Sequence, residues 1–344
     1  MNKSVASFLS LLTLSCAVTT ASAQTRTLVL STYGFNNAIF KKLVYDPFAV
    51  KCGCKVVLET GNAADRIAKL EARRNNPNVD LVQVTDFLAL EASAKGLLQT
   101  IDYKKIKNID QVYDFGKDPL RNQEAVSYTL YSVGLVVRTD KPTDSITSWK
   151  DLARPDLKGH VMLANITGNQ GLAQVFMIDK AWGGLNTDMS MGISKIGEMK
   201  SNVVTYYTQT AQMTALFAQD EAWVAPVGRF GWLNLKKTGK PLRWLVPKEG
   251  QVGMMNTMSI VKGSKNTDLA HELIDFWLSK DVQTALANEM ADSPINRNVK
   301  PNPEVQEALT WGKSQIENLV FMKPDMVLRE RAGWVTQWNR MVAK

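Results

Sequence analysis

Histidine is almost missing from this chain: His160 and His271 are the only two in 344 residues. A Ser-His-Asp or Cys-His mechanism would have to use one of them, and His271 falls within a helical pattern on the tail where a surface role is expected. Cysteine is nearly as scarce, at Cys16, Cys52 and Cys54, which excludes a small fold framed by disulfides. No run of 18 apolar residues occurs, so no membrane-spanning helix is expected. Gly-x-Gly-x-x-Gly, Walker, His-Glu-x-x-His and Gly-x-Ser-x-Gly motifs are absent. Nothing therefore announces a cofactor or a catalytic metal. Internal repeats and low-complexity tracts are lacking too.

What is present is ordinary globular composition, 45% hydrophobic and 22% charged, long enough for two domains. Lys and Arg number 41 against 33 Asp and Glu, a formal charge of +8. The basic residues are spread along the chain, which points to a solvated basic surface and not to a nucleic-acid partner. Lys3, an apolar stretch over 5–18 and Ala21-Ser22-Ala23 before Gln24 predict a secretory signal covering 1–23. A lipid-anchor site before Cys16 would want a leucine three residues upstream, where Thr13 stands. The mature chain is expected to be exported and soluble. Cys52 and Cys54, one residue apart, then form either a Cys-x-Cys disulfide or, with less support, a redox or metal site.

Hydrophobic patterning predicts strands at 27–30, 55–59 and 80–84, alternating with helices over 37–51, 64–74 and from Phe87 to a stop at Gly96. A second run places strands at 161–164, 203–206, 222–225 and 242–246 between helices over 171–182, 210–219 and 230–237. Such alternation implies parallel pairing with right-handed crossovers. Extended segments at 134–138 and 258–261 link the two runs. The tail from Asp268 reads as helical, including 304–317 and 325–341. The expected fold class is thus α/β with two lobes and a hinge between them. Lobe one takes 24–136 and 257–303, and lobe two takes 137–256 and 304–344.

Open parallel sheets bind ligands beyond the carboxyl ends of their strands. Those ends carry Thr32, Tyr33 and Phe35, then Thr85 and Asp86, then Gly168 and Asn169, then Arg229, and finally Met254 and Asn256. The set is rich in hydroxyls, amides and glycines and poor in catalytic pairs. It suits enclosure of a small solute by hinge closure. The Gly168-Asn169 turn offers helix N–H groups to an anion, and Arg229 offers a guanidinium fork for a carboxylate or phosphonate.

Several ordered landmarks resemble a known family, the periplasmic solute-binding proteins of ABC importers, in the branch for spermidine/putrescine, iron and thiamine. They are Asp80-Leu81-Val82 followed by Gly96-Leu97-Leu98, Ser148-Trp149-Lys150-Asp151-Leu152, Pro155-Asp156-Leu157-Lys158-Gly159, Val246-Pro247-Lys248-Glu249-Gly250, and the helix from Ala270 through Leu278. The resemblance implies a two-lobed type II fold, a monomer, and delivery of solute to an inner-membrane permease. It also implies a tryptophan and an ammonium-binding aspartate after the Pro-Lys-Glu-Gly landmark, where this chain has Met254 and Asn256. The acid after the first strand is replaced by Gly34, while Phe35 keeps an aromatic and Trp223 matches the second lobe's tryptophan. The paired tyrosines of the iron branch are replaced by Val227-Gly228-Arg229, and Tyr206-Tyr207 lies one unit too early and reads as core. No stoichiometric metal and no cofactor are expected. The leading expectation is a periplasmic receptor for an anionic or zwitterionic solute, such as an amino acid or aminophosphonate. The alternatives are an amine ligand held by Asp86, a periplasmic enzyme using Asp86 as base, and a ligand-presenting protein for a chemoreceptor.

Overall fold

The computed structural model describes residues 25–34, 36–184 and 188–343; the expected signal segment and Phe35 lie outside them. The described residues start with β1 (Thr27–Thr32), α1 (Asn37–Phe40), a π-helical turn, α2 (Asp46–Cys52), β2 (Lys55–Thr60), α3 (Ala63–Ala72), β3 (Leu81–Thr85), α4 (Asp86–Ala94) and the short β4 (Leu98–Gln99). α5 (Asp114–Lys117) precedes the long β5 (Val126–Arg138). Then follow β6 (Val161–Ala164), α6 (Asn169–Ala181), α7 (Ser190–Glu198), β7 (Val203–Tyr207), α8 (Thr210–Ala218), β8 (Val224–Gly228), α9 (Trp232–Lys236), β9 (Leu242–Leu245) and β10 (Gln251–Val261). The tail adds α10 (Thr267–Leu278), α11 (Lys280–Asn288), β11 (Ser293–Pro294), α12 (Pro303–Gln306), α13 (Lys313–Glu317), β12 (Leu319–Val320) and α14 (Pro324–Met341).

Local chemistry sets the element ends. Asn62 caps α3 by accepting the Ala64 N–H at 2.9 Å, and α3 buries Arg66, Ile67 and Leu70 on one face. α2 ends on Gly53 at φ 57°, a left-handed position that costs glycine little. Around that turn Cys52 and Cys54 are joined in a disulfide, with Cα atoms 5.2 Å apart.

The main ladder runs β2-β1-β3-β10-β5-β8-β6-β7. β1 is parallel to β2 and β3, and β6 is parallel to β7 and β8, as strand-helix alternation requires. The linking segments depart from expectation. They extend to 13 and 11 residues in β5 and β10 and pair antiparallel, from Val252↔Val133 to Met258↔Val126. The hydrogen-bonded ladder is therefore continuous through them. Ser127, Thr129, Ser132 and Thr257 broke the apolar pattern that marked only their ends, yet all four are buried, because both strands are covered on two faces.

Three further differences have local causes. β8 runs to Gly228, past Pro226, because β6 pairs it only at Val161↔Val224 and leaves no neighbour to miss the proline N–H. β9 pairs antiparallel with β5, from Leu135↔Leu245 to Arg138↔Leu242; the five-residue α9 is too short to carry a crossover. The segment 304–317 divides into α12 and α13, interrupted before Gly312 at φ 88°.

Apolar side chains cover each half of the sheet on both faces. One half packs Phe48 and Tyr45 with Trp277 of α10, with Ile67, Val82 and Ala89 on the other side. The other half packs Trp149, Phe176, Trp334 and Trp338, with Phe217 and Trp232 opposite. No helix among the described residues is long and apolar enough to cross a membrane.

Candidate functional site: a cleft over the crossing strands

Between the two halves, above β5 and β10, lies a cavity of about 460 Å3. The end of β1 places Tyr33 there, and the junction of β3 with α4 places Thr85. The crossing strands contribute Thr129, Tyr131 and Asn256, and the opposite wall is Asn169, Phe230 and Asn234. One end is apolar, closed by Leu130, Leu233, Met290 and Leu309. Tyr131 meets Phe230 edge-on at 5.3 Å, and the Tyr33 hydroxyl donates to Asn256 Oδ1 at 3.4 Å. Burial pushes the Tyr33 phenol up to about 12, partly opposed by Arg66, whose guanidinium lies 4.9 Å from the ring centre. Arg66 itself is committed behind the wall, donating to the Gly61 and Gln83 carbonyls at 3.1 and 2.9 Å. A smaller space of about 300 Å3 adjoins through Tyr131, Asn169 and Phe230 and runs along the start of α6 past Gly168 and Gln170.

Two carboxyl groups dominate the electrostatics. Asp292 lines the cavity, and its buried Oδ2 has no hydrogen-bond partner. Its neighbour Thr129 spends its hydroxyl on the Ser293 carbonyl at 2.8 Å. Burial pushes the Asp292 carboxyl up to about 8, partly opposed by the nearby Thr129 hydroxyl. Asp86, at the first turn of α4, is 3% exposed and is pushed up to about 7, again by burial, against the Phe87 N–H at 3.0 Å from Oδ1. Its charge is felt by Tyr33 and Tyr131. No Lys or Arg lines the cavity among the described residues. A carboxyl group desolvated beside a polar space that no Lys or Arg lines is left without a balancing positive charge.

Comparison with known proteins decides the family. Residues 44–310 match the model for bacterial extracellular solute-binding proteins. The chain belongs to that family. A crystal structure of an ABC transporter protein from Clostridium perfringens is similar to this receptor at 32% identity and TM-score 0.84, covering 91% of this chain and 99% of that one. The spermidine/putrescine-binding periplasmic protein of Escherichia coli is 23% identical over 250 residues, 70% of each chain. A Salmonella typhimurium periplasmic protein named for 2-aminoethylphosphonate binding is 20% identical over 307 residues, 86% of each. The fold is the type II periplasmic binding protein fold, and the receptor is the solute-binding component of an ABC importer, not an enzyme.

The receptor brings Tyr33, Thr85, Asn169 and Asn256 together around one cavity, with Asp86 directly behind it and Gly168 on the adjoining space. The Thr85 Oγ1 is buried and unpartnered. Four more of the expected residues, Thr32, Met254, Trp223 and Arg229, line neither space. Thr32 is buried and bonded to Gln83. Met254 sits in the core cluster with Phe87 and Met322. Trp223, just before β8 and so at the far end of that strand, stacks on His160 at 3.5 Å beneath Lys141. Arg229 turns away: it donates to the Glu307 carbonyl and lies 4.3 Å from the Trp244 ring. Burial lowers its guanidinium to about 10. Phe230, one residue later, occupies the wall instead. Tyr206 packs edge-on against Trp338 at 5.3 Å, whereas Tyr207 lines the smaller space and donates to the Pro226 carbonyl at 2.7 Å.

Asp292, Tyr131 and Phe230 were missed in the sequence. The pairing Ser293↔Leu130 and Pro294↔Thr129 is what carries Asp292 into the cleft, and a two-residue strand leaves no periodic signal. Phe230, 55% exposed, was legible only as an unexplained aromatic at a strand end.

The α6 start has no room for a side chain at Gly171, where a Cβ would stand 1.9 Å from the Asn165 carbonyl oxygen. Gly171→Ala is expected to lower the unfolding midpoint, at a cost of at least about 1–3 kcal/mol, and to weaken solute binding by displacing Asn169. Calorimetric unfolding and titration check both.

Proposed function

We propose that this receptor captures a small zwitterionic solute bearing an ammonium group, such as an amino acid or aminophosphonate, and presents it to an inner-membrane permease from the periplasm. Asp292, which lines the cavity with a carboxyl group whose buried Oδ2 has no hydrogen-bond partner, carries this reading. An ammonium there recovers the desolvation penalty of the acid, and Tyr33 and Asn256 supply neutral dipoles around it. The anionic end then points along the adjoining space toward the first N–H groups of α6, whose cap residue Gly168 has no side chain to occupy them. Arg229 has no part in this reading. The names of two relatives, for 2-aminoethylphosphonate and for spermidine/putrescine, both denote amines.

Mass spectrometry of the solute that co-purifies, followed by calorimetric titration with amino acids, aminophosphonates and polyamines, tests it. Tight binding confined to solutes without an amine would overturn it. A polyamine is the second reading, favoured by the second acid, Asp86, close behind the same wall. Preference for spermidine or putrescine over every zwitterion in the panel would select it.

Capture by lobe closure belongs to the same proposal, with lobes at 24–136 plus 257–303 and 137–256 plus 304–344 hinged near Arg138 and Asn256. Saturating solute is expected to shrink the radius of gyration in X-ray scattering. Superimposable profiles with and without a bound solute would rule closure out.

A further inference from the structure

The loops that carry Asp292 and Leu309 have a second side. Beyond them, a cavity of about 760 Å3 is lined by Lys280, Arg297, Lys300 and Lys313 against a single acid, Glu317. Two of the four cations have an acidic partner among the described residues and two do not. Lys313 stands 3.8 Å from Glu317, and Arg297 uses only Nη2, on the Val112 carbonyl and Asp114. Lys280 and Lys300 have no ion-pair partner among the described residues. Lys280 also opens the nine-residue α11, whose cap residue Ser279 turns its hydroxyl back to the Phe276 carbonyl at 2.7 Å. The first N–H groups of that helix lack a side-chain cap, with Asp281 in the same turn offsetting part of their positive partial charge.

The walls are set in place. The Trp311 indole is fixed by its Nε1 donating to the Val299 carbonyl at 3.0 Å, and Tyr113 is stacked on Phe115 at 5.3 Å. Four cations around one space with an ordered aromatic wall suit a multiply charged ligand better than a single carboxylate, whose one charge a single cation would neutralise. We propose that this cavity is a second binding site, for a phosphate-bearing anion, independent of the solute cavity.

The ligand is either a soluble phosphate compound or the headgroup of a phospholipid, and one experiment separates them. Pyrophosphate is titrated into the full mature chain at constant ionic strength while tryptophan fluorescence is read, with Trp311→Phe as the control for the signal's origin. The expected result is a saturating, Trp311-dependent change. In the Lys280→Gln/Lys300→Gln variant its midpoint should rise at least about tenfold, with the unfolding midpoint unchanged because both lysines are exposed. Co-sedimentation with phosphatidylglycerol vesicles that pyrophosphate reverses would assign the site to a lipid headgroup. Saturation by pyrophosphate without co-sedimentation would assign it to a soluble phosphate. A linear response, or an identical midpoint in the double variant, overturns the proposal. So does saturation by an acidic peptide with no response to pyrophosphate, which would make the cavity a protein-docking site.

Discussion

Asp292→Asn is expected to weaken binding of an ammonium-bearing solute by about 2 to 5 kcal/mol, the largest effect of any single cleft substitution. The amide keeps the shape of the carboxyl but cannot balance a buried positive charge. The same group sets a pH dependence. In the empty cleft the Asp292 carboxyl titrates near 8 and Asp86 near 7, so at neutral pH Asp292 carries a proton that an arriving ammonium must displace. Affinity should therefore rise with pH up to about 8 and level off above it, with proton release on binding, and Asp292→Asn should flatten the profile. Titration in buffers of differing ionisation enthalpy measures the released proton. Affinity independent of pH in the native receptor would remove Asp292 from the site.

The stability of the empty receptor should move the opposite way. Both carboxyls titrate above their unfolded values, near 3.9, so the native state binds more protons than the unfolded state at intermediate pH. Their contribution is fully present below pH 4 and is lost as pH rises through 7 and 8. The solute-free protein should accordingly lose part of its stability between pH 5 and pH 8, as far as these two groups decide it, and a saturating amine should restore it.

The second large effect is structural. Trp277 is fully buried, edge-on to Tyr128 at 5.1 Å and to Tyr45 at 5.9 Å, with Phe40 at 5.5 Å. Trp277→Ala should cost about 3 to 5 kcal/mol, a large share of the roughly 5 to 15 kcal/mol that holds a domain together. Trp277→Phe should cost much less, because it keeps most of the aromatic packing and removes an indole N–H that has no partner. Denaturant unfolding of both variants checks the pair. Equal losses would mean that the cavity left by the smaller ring, and not the aromatic cluster, controls stability at this position.

The alternation of β-branched strands with amphipathic helices was legible along the chain because a parallel strand buried on both faces and a helix with one apolar stripe leave different periods in the residues. That is why β1 to β3, β6 and β7 lie within a few residues of where patterning puts them, and why Tyr33, Thr85 and Asn169, each at the carboxyl end of a strand or at the helix start after it, could be named as cleft residues. Side-chain direction was not legible in the same way. Arg229 and Phe230 are neighbours, and which of them faces the cavity was decided by the Glu307 carbonyl and the Trp244 ring, groups brought from distant segments. Asp292 was placed by a two-residue pairing with β5, and the long β5–β10 ladder by burial of hydroxyl residues whose partners lie more than a hundred residues away. Sequence alone determined the α/β architecture and the family landmarks, because these rest on local period and order. The charge of the cleft was decided only in three dimensions, since desolvation depends on everything packed around a group and not on its neighbours in the chain.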